Sequence, residues 1–171
     1  TRSNDGRADP FGGFWIGTTG IAAESQAGSI YRLVEGKIVK LFPNITMSNS
    51  ICFSPDKKFG FFCDTPERQI MRVPLDQSGW PSSDPEVFID LREANLNPDG
   101  AIIDRSGNLW SAQWGASRVA QYDRNGRFVS ELTFDAKQIS CPAMGGKNMS
   151  TLFATSAFVD LDNASPNDGK T

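Results

Sequence analysis

No histidine occurs anywhere in this chain. That absence excludes Ser-His-Asp and Cys-His nucleophile schemes, and it excludes imidazole zinc sites. Any catalyst must then work with carboxylates, amides, Lys, Arg, Tyr or a metal held by oxygen ligands. No apolar run approaches the ~18–20 residues of a membrane span, so no membrane partner is expected, and no signal-peptide pattern opens the chain. The net charge is −3 with no basic block, so no nucleic-acid footprint is expected either. Cysteine is scarce. Cys52, Cys63 and Cys141 lack C-x-x-C spacing and lie in apolar neighbourhoods. They are expected to be reduced, buried thiols, which fits a reducing compartment and a cytoplasmic location. No stretch holds a 3.6-residue period for longer than two turns, although residues 91–96 read as a single helical turn.

What is present points to many short strands. Sixteen glycines, ten prolines and 11% aromatic residues mark turns between strands, and 39% hydrophobic residues over 171 positions suffice for one substantial core. Residues 1–10 are polar and turn-rich, then give way at once to a strand over 14–18, as if the chain began inside a domain. Strands over 28–33 and 37–42 alternate with period two about a Glu35-Gly36 hairpin turn. Four more follow at 49–53, 59–63, 69–74 and 87–91, and a further four at 101–103, 109–113, 118–122 and 127–134. A last partial unit covers 140–144 and 151–155, with a turn near 145–148. The polar tail from 159 to 171 adds no strand.

The pattern repeats. Asp9, Asp56 and Asp104, each in a turn, are 47 and 48 residues apart, and Trp15 and Trp110 are 95 apart. Four short strands every ~40–50 residues mark the blade of a β-propeller, which cannot bury both faces alone and stacks on its neighbours. The fold expected is all-β: a partial propeller of about three and a half to four blades over residues 1–171, truncated at both ends. Unpaired strand edges would follow, with a liability to pair with other chains.

In a propeller the first strand of each blade starts near the central channel. Three such starts carry polar residues where an apolar one would pack equally well: Asn4, Asn49 and Asp99, separated by 45 and 50 residues. Oxygen ligands converging from separate blades are what a hard divalent cation needs. Plain turns are the competing reading: Asn4-Asp5-Gly6 and Pro98-Asp99-Gly100 are both common turn strings. Asn49, flanked by strand residues, is harder to explain that way. Arg2 offers a guanidinium for a carboxylate or a hydroxyl-rich substrate, or is a solvated terminal arginine. Glu24, in the 20–28 loop, is either a lid residue or a solvated charge. Trp114 lines the channel mouth or packs between blades.

Taken in order, Arg2-Ser3-Asn4-Asp5-Gly6 with Asp9-Pro10, Ser48-Asn49 before Phe53-Ser54-Pro55-Asp56, Asn97-Pro98-Asp99-Gly100, Gly107-Asn108-Leu109-Trp110 and Gly145-Gly146 resemble the SMP-30/gluconolactonase/regucalcin family. The resemblance implies a six-bladed propeller that binds one divalent metal ion (Ca, Zn, Mg, Mn or Fe) and hydrolyses sugar lactones of the gluconolactone or pentonolactone kind to aldonic acids. It would make Asn49 and Asp99 metal ligands and Arg2 and Asn4 substrate- or water-contacting residues. The chemistry of lactone hydrolysis then makes Asp99 the catalytic candidate, as ligand only or also as the base that takes the proton. Glu24 is displaced from the family's loop glutamate, and the family's early glutamate ligand has no counterpart here. The fragment by itself is therefore expected to be inactive. A small-molecule lactone is the implied partner, and no obligate protein partner is evident. A non-catalytic calcium-binding or interaction propeller is the alternative.

Overall fold

The computed structural model describes residues 1–162 and 165–170. Its strands are β1 (Arg2–Ala8), β2 (Phe14–Thr19), β3 (Gly28–Val34), β4 (Lys37–Ile45), β5 (Ser48–Phe53), β6 (Phe59–Asp64), β7 (Gln69–Pro74), β8 (Glu86–Asp90), β9 (Asn97–Ile103), β10 (Leu109–Trp114), β11 (Arg118–Tyr122), β12 (Phe128–Thr133), β13 (Ile139–Gly145) and β14 (Thr151–Ser156). They form three four-stranded antiparallel sheets in simple meander order, β1–β4, β5–β8 and β9–β12, followed by the pair β13–β14. Strands β1, β5, β9 and β13 are the innermost of their sheets and lie side by side. Among the described residues no helix is long and apolar enough to cross a membrane.

The second and third sheets bury both faces against their neighbours, and the first packs on the second. Along β6 the side chains alternate: Phe61 and Cys63 join the cluster with Ile70, Leu109 and Tyr122, while Phe62 joins Trp15, Ile30 and Val73. Period-two geometry sends successive side chains to opposite sides, so the Phe59-Gly60-Phe61-Phe62-Cys63 run serves two cores at once. A third cluster (Ala112, Val119, Ile139) joins the third sheet to β13. Trp15 fits because the position opposite it in the next blade is Gly60, where any Cβ would press on the indole at 3.2 Å.

The turns behave as their residues dictate. Glu35 and Gly36 both take positive φ (50° and 74°), the conformation of a tight two-residue hairpin. Asp9, Asp56 and Asp104 each accept backbone N–H groups of their own turns, from Gly13, Lys58 and Asn108. Asp9 also binds Arg32 Nε at 2.7 Å in a pair with almost no solvent exposure, and the guanidinium lies 4.5 Å from the centre of the Trp80 ring. Cys52 and Cys63 are buried free thiols as expected, and Cys141 is half-buried and free.

Three local expectations need correction. Residues 1–10 are not a loop, since Arg2–Ala8 is the innermost strand of the first blade. It lacks apolar alternation because it flanks the channel. Pro98-Asp99-Gly100 is likewise not a turn but part of β9. Pro98 is tolerated there because an inner strand has one edge outside the ladder. Residues 91–96 hold turns, with Leu96 N–H donating to Leu91 C=O, and no helix forms. Among the described residues the one short helical segment, a 3₁₀ turn at Thr65–Glu67, was not expected. Of the polar tail, Asn163, Ala164 and Thr171 lie outside the described residues. Asp168 in that tail is buried and accepts from Lys137 N–H.

Removing one member of a buried ion pair strands the other charge at a cost of about 3–5 kcal/mol. Asp9→Ala is expected to lower the unfolding free energy by about that amount, read from urea denaturation. An unchanged midpoint would show that Trp80 alone suffices to hold Arg32.

Candidate functional site

Every inner strand carries one extra residue at the same height. Asn4 and Asp5 together face Gly17 between the Ser3–Thr18 and Gly6–Ile16 pairs. Ser50 and Ile51 face Phe62 in the same way, and Asp99 and Gly100 face Ala112. A single extra residue, Ser140, interrupts β13. Such bulges bend a strand and turn a side chain out of the ladder direction, and they are common beside active sites. Ser50 takes a positive φ of 58° to make its bulge. Gly100 is held to glycine by closeness, since a Cβ there would lie 2.7 Å from Ser140 C=O.

The bulges refine the spacing. Asn4 and Asp99 occupy equivalent positions, but the residue equivalent to them in the second blade is Ser50. Asn49 lies one place earlier, in register with Ser3 and Pro98. That offset accounts for part of the difference between the intervals of 45 and 50 residues, since counting from Ser50 to Asn4 and to Asp99 gives 46 and 49. Asn49 reaches the site all the same, because its side chain is oriented by partners on both flanks.

Those partners form a chain across three blades. Arg2 Nη1 donates to Asn4 Oδ1 at 3.1 Å. Asn4 Nδ2 donates to Asn49 Oδ1 at 3.1 Å and to Ser48 C=O at 2.9 Å. Asn49 Nδ2 donates to Thr65 Oγ1 at 2.9 Å, and the Thr65 hydroxyl donates to Pro98 C=O at 2.8 Å. Ser50 Oγ then donates to Asp99 C=O at 2.5 Å. The structure thus brings Asn4, Asn49 and the Asp99 backbone together, with Arg2 tied to the first of them. Asn49 is 5% exposed, whereas Arg2 and Asn4 face solvent.

Glu24 is not part of this group. It is exposed, its carboxylate accepts from Ala22 N–H at 3.1 Å, and it folds back over Gly20. Trp114 ends β10 opposite Asn97, half-buried, at the same end of the sheet as Asp99. A cavity of about 800 Å³ opens at the other end of the inner strands, lined by Arg7, Phe53, Ile103 and Met144 among others. It lies away from this constellation and takes no part in it.

Two charged residues were missed from the sequence, where Asn4-Asp5-Gly6 passes for a turn. Asp5 accepts from Gly6 N–H and Ile51 N–H, both at 2.8 Å. Arg7 donates to Ile51 C=O at 2.9 Å and to Ala101 C=O at 3.1 Å. Thr65 was missed too; the Asp64-Thr65-Pro66 string, a helix-start signal, was its only trace.

Burial pushes the Asp99 carboxyl up to about 7, and the neighbouring Asp5 carboxylate adds to the rise against a lowering contact from Gly100 N–H. Burial also raises Asp5, opposed by Ile51 N–H, the Arg7 charge and Gly6 N–H. Among the described residues no group of three or more Cys, Asp or Glu side chains gathers to hold a metal. The hard oxygen donors that the inner strands offer here are the Asn49 amide oxygen, which accepts from Asn4 Nδ2, and the buried Asp99 carboxylate on the neighbouring strand. A carboxylate whose ionisation is opposed by burial and by the Asp5 charge is one that a divalent ion would stabilise.

The arrangement defines the class: a β-propeller with a polar constellation where its inner strands begin. A family profile, SMP-30/Gluconolactonase/LRE-like region, matches residues 1–158. The chain belongs to that family. It is 43% identical over 99% of its length to a Rhizobium meliloti protein provisionally assigned as a sugar lactone lactonase, covering 60% of that protein. It is 36% identical over 94% of its length to L-arabinolactonase of Azospirillum brasilense, covering 54%. A solved regucalcin of Agrobacterium tumefaciens, described as a calcium-binding protein, superposes with a TM-score of 0.94 at 45% identity, covering 98% of this chain and 58% of that one. The chain therefore spans a little over half the length of these relatives.

Because Asp99 titrates higher in the folded chain than the ordinary 3.8, the folded state holds its proton longer than the unfolded one. Its contribution is complete at low pH and is lost as pH rises from about 4 to about 7. In the metal-free chain, the urea midpoint is expected to fall over that window more steeply than in Asp99→Asn. Parallel profiles for the two would contradict the buried, cation-free carboxylate.

Proposed function

We propose that the protein carrying this chain hydrolyses sugar lactones to aldonic acids with the help of one divalent metal ion, held in part by Asn49 and Asp99. The observation that carries this reading is the side-chain chain Arg2–Asn4–Asn49–Thr65, which ends on the backbone of the strand bearing Asp99. The lactonase names of the relatives support it.

Lactone hydrolysis joins the oxygen of a water to the ring carbonyl carbon and breaks the ring ester bond. One proton leaves the water and one reaches the ring oxygen. A divalent cation supplies Lewis acidity, polarising a carbonyl and lowering the pKa of a water. Asn49 and Asp99 would hold it, and their oxygens suit Ca²⁺, Mg²⁺, Mn²⁺ or Fe²⁺ while admitting Zn²⁺. Asp99 is also a carboxylate that could take the proton, although a metal-held carboxylate is a weaker base. Arg2 fixes the Asn4 amide so that its Nδ2 faces Asn49, and both residues are exposed where a hydroxyl-rich ring could be bound. Glu24 could join them only if its loop unfolded from Gly20.

A second reading, a calcium-binding propeller without turnover, is favoured by the description of the Agrobacterium regucalcin. Chelated full-length protein should regain hydrolysis of gluconolactone or a pentonolactone when a divalent cation is restored. Asp99→Ala should lose about 10²–10⁴-fold in turnover, the size of an acid–base contribution, and should also lose metal. Metal binding with no turnover of any aldonolactone would favour the scaffold, and full turnover in metal-loaded Asp99→Ala would overturn the assignment.

A further inference from the structure

Neighbouring inner strands belong to different sheets, so no ladder joins them. The backbone groups that a bulge turns out of its own sheet therefore need partners from elsewhere. At Ile51 both are met by side chains of the preceding blade: Asp5 Oδ2 accepts from Ile51 N–H at 2.8 Å, and Arg7 Nε donates to Ile51 C=O at 2.9 Å. Arg7 continues to the third blade, where Nη2 reaches Ala101 C=O at 3.1 Å. Two side chains of β1 thus tie three inner strands at one height. That height is two residues beyond Asn49 on β5 and two beyond Asp99 on β9.

We infer that Asp5 and Arg7 are positioning residues: a brace that sets the gaps between the inner strands carrying Asn4, Asn49 and Asp99, with Asp5 supplying a fixed negative charge behind the cation site. This rests on the metal-site reading proposed above. Each Asp5 oxygen already accepts a backbone N–H, which fixes the carboxylate against the inner strands. Its charge nevertheless reaches Asp99, and the charge of Arg7 reaches Asp5. With both carboxylates ionised, the one guanidinium leaves the trio with a net negative charge, which a divalent cation would offset. Outer partners of this kind commonly matter 10–100-fold in metal affinity.

The geometric and electrostatic roles of Arg7 predict opposite outcomes, and that makes the inference testable. If Arg7 acted only through its charge, removing it would tighten cation binding. If it holds the strands at their spacing, removing it loosens the site and weakens binding. Calcium titration calorimetry on the full-length protein, with thermal melts of the metal-free form, separates the two.

Asp5→Asn should weaken calcium binding about 10–100-fold. An amide keeps only one of the two acceptors that serve Gly6 N–H and Ile51 N–H, so its metal-free melting temperature should also fall. Arg7→Met should also weaken it. Arg7→Lys keeps the charge but cannot span two carbonyls, so it should weaken calcium binding too and provides the test if Arg7→Met does not fold. Tighter calcium binding by Arg7→Met, or unchanged affinity in Asp5→Asn or Arg7→Lys, would overturn the brace while leaving the metal site intact. Wild-type protein that binds no divalent cation would overturn the metal reading itself, and the brace with it.

Discussion

An inner strand of a propeller has one edge that no neighbouring strand covers. Here that edge is covered by side chains, and the rest of the site depends on how. Asp5 and Arg7 satisfy Ile51, Asn4 satisfies Ser48, Thr65 satisfies Pro98 and Ser50 satisfies the Asp99 carbonyl. Unmet backbone groups at such a place would each carry a desolvation penalty of about 1–3 kcal/mol, so polar residues are required there before any chemistry is considered. The same residues that close the edge then become the wall of a polar site. Structural need and candidate catalytic equipment coincide at one end of three strands.

Much of the fold was legible in the sequence because its signals are local. Glu35-Gly36 forms the hairpin that such a dipeptide favours, Gln69–Pro74 and Arg118–Tyr122 are strands with the expected bounds, and the turn aspartates mark three equivalent bends. What could not be read was tertiary. β1 looks like a loop because its partners are channel, solvent and the next blade, none of which asks for alternating apolar residues. Pro98-Asp99-Gly100 carries turn chemistry and is a strand, since the long-range pairing with β10 overrides the local preference.

The site divides along the same line. Asn4, Asn49 and Asp99 were visible as polar residues out of place at blade starts, and the structure brings Asn4 and Asn49 into contact. Asp5 and Arg7 were not visible, because charges in an Asn-Asp-Gly-Arg string are ordinary in a turn and only the fold shows them facing Ile51. Thr65 belongs to a 3₁₀ turn too short to leave a period. Glu24 was placed by likeness of loop position, and in the structure its carboxylate serves its own loop.

The bulges have a consequence for how this chain tolerates change. Each inner strand reaches the site with one residue more than its partner strand, so the count of residues ahead of the bulge decides which side chains face the channel. Because side chains alternate with period two, deleting a single residue on one side of the bulge would send the following polar residue into a blade core and an apolar one into the channel. Substitutions test one side chain at a time, whereas a one-residue deletion rewrites a whole strand. Insertions and deletions should therefore be confined to the outer turns, where Gly36, Gly79 and Gly126 already allow the chain to bend. Along β1, β5 and β9, length is as much a part of the site as composition.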